Sequence, residues 1–326
     1  METVLNMGVT WNIFLQNLGS WLKTPMDVFS FLGNEYFYLL LLPALYWSVD
    51  AGIGLRVGII LLLSTSINDA LKLVFHGPRP YWYSKDVIAY ATETSFGAPS
   101  GHAQISASVW GMLAACIRKW WGWLIAVLIV LGNGISRLYL GVHFPQDIFL
   151  GWLFGILLLW LVLHFWKPVT IWINKMSTGQ QILASFLGSL VLILISLIPY
   201  LWLKIINWQP PQPWAEYAKN AVSINGAFTT AGTLFGLLAG LAWVNRKGGF
   251  NTAGLIWKRV LRFVIGLVGI LIFYVGLDVL FGLIAPDAEA VIPYILRYIR
   301  YTFVGAWVSA GAPWIFIKLK LASNAA

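Results

Sequence analysis

Apolar runs of near twenty residues recur along this chain and leave it few folds, because an α-helix needs about that length to cross the hydrocarbon core of a bilayer. Nine such runs can be drawn, at approximately 34–49, 51–75, 100–117, 120–136, 146–165, 181–203, 224–243, 260–284 and 300–317. The fold class they predict is all-α: a polytopic transmembrane helix bundle of about nine spans. Only 10% of the 326 residues are charged, 59% are hydrophobic and the mean hydropathy is +0.77. A soluble domain carries roughly 25% charged residues, so a water-soluble globule is excluded. Residues 1–33 intersperse Trp11, Phe14, Leu15, Trp21 and Leu22 with polar residues. They are expected to form an interfacial N-terminal segment of short amphipathic helices.

The net charge of +9 does not signal nucleic acid, because Lys and Arg stand at the ends of apolar runs and form no basic stripe. The single cysteine, Cys116, excludes an intrachain disulfide and a thiolate metal site. Met1–Thr10 lacks the basic start and apolar core of a cleavable signal, so the first helix is expected to direct insertion. Tryptophans gather at run ends, as in Trp120, Trp121 and Trp123 or Trp202, Trp208 and Trp214, and read as interfacial anchors.

Nine spans would place the N-terminus and the 76–99, 136–146, 204–223 and 285–299 loops on one side of the membrane. The opposite loops hold ten basic residues, against eight on the first side and six once Arg79 and Arg137 are set apart. By the positive-inside rule the first side lies outside the cytoplasm. Polar residues near 166–180 divide the chain, giving expected domains of 34–166 and 180–326 after the N-terminal segment 1–33. In the second half, Gly232, Gly236 and Gly240 smooth one face of a helix for close packing. Asp278, inside an apolar run, requires a partner or a wet cavity.

Three short motifs stand where predicted helices meet the same water. Lys72 precedes Arg79-Pro80 by seven residues. Proline biases Arg79 toward an extended backbone, which sets how its guanidinium is presented; Lys72 alone also reads as a snorkelling cation or a partner of Asp69. Pro99-Ser100-Gly101-His102 opens the next run. Serine caps a helix start, glycine lets a ligand approach the backbone, and the free N–H groups attract an anion; a plain helix start would look the same. Ser136-Arg137 is followed by His143 and, four residues on, Asp147. Asp147 can accept from the imidazole Nδ1–H and leave Nε2 as a nucleophile, although a His–Asp pair across one turn can also be purely structural. His76, in the motif loop, reads as a packing residue or a substrate contact. His164 falls at the opposite end of its run.

Taken together, Lys72, Arg79, Pro80, Pro99, Ser100, Gly101, His102, Ser136, Arg137, His143 and Asp147 form a pattern that closely resembles the type 2 phosphatidic acid phosphatase superfamily. The resemblance covers roughly residues 33–166. It implies a lipid phosphatase in which His143 attacks phosphorus to form a phosphohistidine and Asp147 orients it. His102 would protonate the leaving oxygen and then activate water. Lys72, Arg79, Arg137, Ser100 and Gly101 would hold the phosphoryl oxygens, while Pro80, Pro99 and Ser136 shape the motifs. No cofactor and no metal are expected, since the motifs contain cations where a divalent site would need clustered carboxylates. The expected substrate is a membrane lipid phosphate or diphosphate, met at the extracytoplasmic face of a bacterial cytoplasmic membrane. A lipid phosphotransferase with the same phosphohistidine, and a transporter or scaffold built on a vestigial site, are the competing readings.

Overall fold

The computed structural model describes residues 2–285 and 291–325, so residues 286–290 of the expected 285–299 loop lie outside the described residues. The helices are α1 (Glu2–Gln16), α2 (Lys23–Phe31), α3 (Glu35–Ala44), α4 (Ala51–Phe75), α5 (Pro80–Tyr83), α6 (Gly101–Ile117), α7 (Trp120–Tyr139), α8 (Pro145–Asn174), α9 (Thr178–Ile205), α10 (Asn225–Arg246), α11 (Ile256–Ile284), α12 (Ile292–Ala306) and α13 (Ala312–Lys318). Among the described residues no strand is formed; Asn251 and Ser323 make an isolated bridge. The all-α expectation holds.

Among the described residues, six helices are long and apolar enough to cross a membrane, or up to seven if the bent pair Ser20–Phe31 and Glu35–Val49 counts as one span. Nine spans are not reached by this measure, for local reasons. The 100–117 run becomes α6, a helix of 17 residues, slightly short of the length required. The 300–317 run is divided between α12, a π turn at Trp307–Gly311 and α13. Pro313 has no N–H to continue the regular ladder there, and a wider turn accommodates its loss.

Two compact units divide the chain. The first contains residues 1–38, 64–164 and 195–224, and the second 39–63, 165–194 and 225–326. In the first, α6 and α7 form an antiparallel hairpin closed by Arg118 in the left-handed region, with φ 56°. Gly151 and Gly155 of α8 let its backbone lie against the Ser100 and Gln104 carbonyls of α6, where any Cβ would collide. The expected interfacial segment is helical, and Asn133 of α7 donates to the Phe29 carbonyl of α2 at 2.9 Å. Tyr139, Leu140 and Val142 make a buried cluster against Leu15, Leu22 and Met26.

In the second unit, Trp47, Phe250, Ile270, Val304 and Phe316 share a core. The Trp47 indole donates to the Val308 carbonyl at 2.8 Å, so burying its ring leaves no unpaired N–H. The glycine stripe behaves as expected: Cβ atoms on Gly232 and Gly236 would strike the Tyr298 and Thr302 carbonyls of α12. Asp278 finds its partner in Arg300, whose guanidinium also lies over Tyr274 and Tyr301.

Candidate active site

Helix ends bring the three motifs together within the first unit. Lys72 lies in the last turn of α4, and the chain then turns through His76 to Arg79, the N-cap of α5. Arg79 has φ −97° and ψ 158°, the extended geometry that a following proline favours, and Pro80 begins α5. Ser100 caps α6 with its hydroxyl accepting from Ala103 N at 3.4 Å, which puts Gly101 and His102 in the first turn. Ser136 and Arg137 end α7; Gly141, at φ +74°, reverses the chain toward His143, and Asp147 follows in the first turn of α8.

The second and third motifs are tied directly, since Ser100 N donates to the Asp147 carbonyl at 2.9 Å. The first and third meet at the nucleophile candidate, where an Arg79 guanidinium nitrogen is 3.2 Å from His143 Nε2 and 3.0 Å from the Val142 carbonyl. Asp147 Oδ2 lies 3.5 Å from His143 Nδ1, while accepting from Phe144 N at 2.9 Å. That spacing is electrostatic contact without a hydrogen bond, and Nδ1 has no other hydrogen-bond partner. His102 Nε2 is likewise buried and unpartnered.

The cations are organised by a loop outside the motifs. Lys72 Nζ donates to Ser95 Oγ at 2.9 Å and the Phe96 carbonyl at 2.7 Å, and no ion pair joins it to Asp69. Arg79 donates to the same hydroxyl at 3.1 Å and to the Ser95 and Phe96 carbonyls at 2.7 and 3.1 Å. Arg137 donates to Ser30 Oγ at 2.7 Å and forms an ion pair with Glu93. Burial would raise the Glu93 carboxyl, but Arg137, Arg79, His102 and Lys72 bring it down to about 2. Burial, followed by Arg79, Lys72 and Arg137, holds the His143 imidazole well below its ordinary range, and therefore neutral.

Residues that the sequence did not single out complete the site. Asn12 donates to the Leu138 and His143 carbonyls at 2.7 and 3.1 Å, and Gln16 to the Ile88 and Tyr139 carbonyls at 2.8 and 2.9 Å. Glu93 and Ser95 had one visible signal, a charge and a hydroxyl just ahead of Pro99-Ser100-Gly101-His102. Tryptophans read as interfacial anchors also pack here: Trp208 lies edge-on to His76 and Phe96, and Trp214 stacks on Trp82. His76 thus packs in the motif loop, and His164 stacks on Trp160. Among the described residues no three His, Cys, Asp or Glu side chains gather into a metal-holding group.

Comparison with known proteins gives two matches, one in each half of the chain. Residues 53–171 match the profile of the PAP2 superfamily, and residues 228–324 that of the PAP2 superfamily phosphatase transmembrane extension. Human glucose-6-phosphatase 3 is 29% identical over 191 residues, covering 50% of this chain and 54% of that protein. Rat sphingosine-1-phosphate phosphatase 1 is 29% identical over 134 residues, covering 39% of this chain and 31% of that one. The chain thus spans about half the length, or less, of these relatives. A transmembrane PAP2-type phosphatidylglycerolphosphate phosphatase from Bacillus subtilis aligns with a TM-score of 0.45 at 26% identity, over 52% of this chain and 89% of that one. Both matched segments point to one family, and the chain belongs to the PAP2 superfamily.

Proposed function

We propose that the protein is a membrane phosphatase that removes a terminal phosphate from a lipid phosphate or diphosphate through a phosphohistidine on His143. The observation that carries this reading is the approach of Arg79 to His143 Nε2 at 3.2 Å, beside Lys72 and Arg137. A neutral imidazole nitrogen then faces the cations that would hold a phosphoryl group of about −2 charge. As the Nε2–P bond forms, the P–O bond to the leaving group breaks, and His102 supplies the proton that the departing oxygen takes up. Water then attacks the phosphohistidine, giving its proton back to His102 and releasing phosphate. Asp147, beside Nδ1, stabilises the imidazolium of the intermediate, while Lys72, Arg79 and Arg137 balance the charge of the transition state.

The chemistry needs no metal, because guanidinium and ammonium groups fill the electrostatic role a divalent ion would otherwise have. An extracytoplasmic position for the site is supported by the charge bias of the loops as counted on the nine-run reading of the sequence. The relatives' names, a sugar-phosphate phosphatase and a sphingoid-phosphate phosphatase, support a phosphate monoester substrate.

Purified protein should release phosphate from at least one of phosphatidic acid, phosphatidylglycerol phosphate, sphingoid phosphate, polyprenyl diphosphate or a sugar phosphate. Labelled substrate quenched in alkali should leave label on wild type and none on His143→Ala. Release by His143→Ala at the wild-type rate would defeat the proposal.

A further inference from the structure

We propose that Glu93 is a specificity-determining residue: its carboxylate, fixed beside Arg137, discriminates against substrates with a second negative group next to the scissile phosphate, and favours monoesters of uncharged alcohols. This rests on the phosphatase reading above and narrows it, since the motifs alone accept a monophosphate and a diphosphate alike.

Three features support the assignment. First, the carboxylate lies within the cationic cluster. One oxygen is paired with Arg137, and Arg79, His102 and Lys72 are near enough to attract it. The same three cations are those proposed to hold the phosphoryl oxygens, and His102 is the proposed proton donor to the leaving group. A fixed anion there shares the neighbourhood with whatever the phosphate is attached to.

Second, Glu93 is held in place at its backbone. The Tyr81 hydroxyl donates to the Glu93 carbonyl at 3.0 Å and accepts from its N–H at 3.0 Å. Tyr81 in turn packs edge-on against Tyr217, with ring centroids 5.9 Å apart. The main chain that carries the carboxylate is therefore fixed beside the cluster, and the carboxylate itself is held by its pair with Arg137.

Third, the side chain is 30% exposed while its Arg137 partner is 3% exposed, so the carboxylate forms the outward edge of the pair. An arriving group meets the anion before it meets the guanidinium. One phosphoryl group can still be held by the three cations, which outnumber the carboxylate. A second phosphate would add charge with no further cation among the described residues of the cluster to balance it. At a separation of about 5 Å and an effective dielectric of about 20, an unbalanced charge pair changes binding by tenfold or more.

The test compares farnesyl phosphate with farnesyl diphosphate in detergent micelles, two substrates with one tail and one added phosphate. Wild type should have the higher kcat/KM on the monophosphate, by about tenfold. Glu93→Gln keeps an oxygen that can accept from Arg137 and removes the charge, so the preference should fall about tenfold, whereas Glu93→Asp should retain most of it. Equal or better use of the diphosphate by wild type would overturn the proposal without any variant. An unchanged ratio in folded Glu93→Gln would overturn it as well. If wild type cleaves neither substrate, the phosphatase reading stands or falls on the wider substrate panel above, and not on this comparison. Binding of inorganic phosphate against pyrophosphate, followed by tryptophan fluorescence, then decides the role of Glu93 by the same ratio and the same outcomes.

Discussion

Asn12, in the first helix, donates its side-chain amide to the backbone carbonyl of His143 at 3.1 Å, across 131 residues of chain. The same amide donates to the Leu138 carbonyl at 2.7 Å, so one side chain spans the turn that carries the proposed nucleophile. Asn12→Ala would take the side-chain donor from both carbonyls, leaving that of Leu138 the Gly141 N–H at 3.0 Å, and cost about 1–3 kcal/mol of stability. Asn12→Asp should cost more, because it sets an acceptor against two carbonyls at a position with no solvent exposure. Phosphate release should fall by about tenfold or more in either variant as His143 loses its register. Wild-type kcat from purified Asn12→Asp would show that the first helix does not position His143.

Ser95 Oγ accepts from both Lys72 and Arg79, and holds the two cations at one point. Removing it in Ser95→Ala leaves both cations their carbonyl partners, so the protein should still fold. Losing one shared acceptor of charged donors corresponds to about 1.5–3 kcal/mol, and kcat/KM should drop by about tenfold or more. Ser95→Thr retains the hydroxyl and should recover most of that loss. Steady-state kinetics on one phosphate monoester would settle this, and equal defects in the two variants would contradict it.

The motif residues were legible because each sits where a period of apolar residues stops, and helix ends carry local signals: Pro80 and Pro145 at first turns, Ser100 at an N-cap. The glycine stripe at 232, 236 and 240 was legible for a similar reason, as its four-residue spacing is a property of one helix. Asn12 and Ser30 were not, and Glu93 showed only as a charge ahead of Pro99, because their meaning depends on partners at Leu138, Arg137 and the other cations, and no spacing rule links them. The number of spans also escaped the sequence. Runs such as 300–317 are apolar enough to resemble single helices, and hydropathy does not register the π turn that Pro313 brings after Ala306, where the Trp307 indole also donates to the Gly266 carbonyl at 2.9 Å.

The acid limb of the pH–rate profile should belong to the substrate. Burial, with Arg79, Lys72 and Arg137, lowers the His143 pKa, so as pH falls the imidazole stays neutral past the ordinary histidine value of about 6.5. The second ionisation of a phosphate monoester, at about 6, is then crossed first. Aryl phosphates with more acidic second ionisations should move the limb down by the same interval. A limb that keeps its place across such a series would mean that the enzyme itself is titrating there.

Gly236→Leu should destabilise the second unit. A side chain at 236 would enter the space filled by the Thr302 carbonyl and Ala306 N, which are backbone atoms with little room to yield. Overpacking of that kind costs about 1–3 kcal/mol. The midpoint of thermal unfolding in detergent should fall, and less for Gly236→Ala than for leucine. An unchanged midpoint in both variants would show that α10 and α12 do not pack at this distance.

Trp214 lies in the 204–223 connection, between the two segments that match the superfamily, and is only 6% exposed because it stacks on Trp82 at 6.2 Å. The other contacts of Trp82 tie this stack to the site: Tyr217 lies parallel to it at 6.2 Å, and the Arg79 guanidinium sits 5.8 Å from its ring centre. Truncating a buried tryptophan costs about 3–5 kcal/mol, part of it for the cavity left behind. Trp214→Ala should therefore both lower the thermal midpoint and loosen Trp82 beneath Arg79, reducing kcat/KM for a phosphate monoester by about tenfold. Trp214→Phe keeps a ring against Trp82 and should fall between wild type and alanine on both measures. If stability drops in Trp214→Ala while kcat/KM does not, the 204–223 segment braces the fold alone and has no part in holding Arg79.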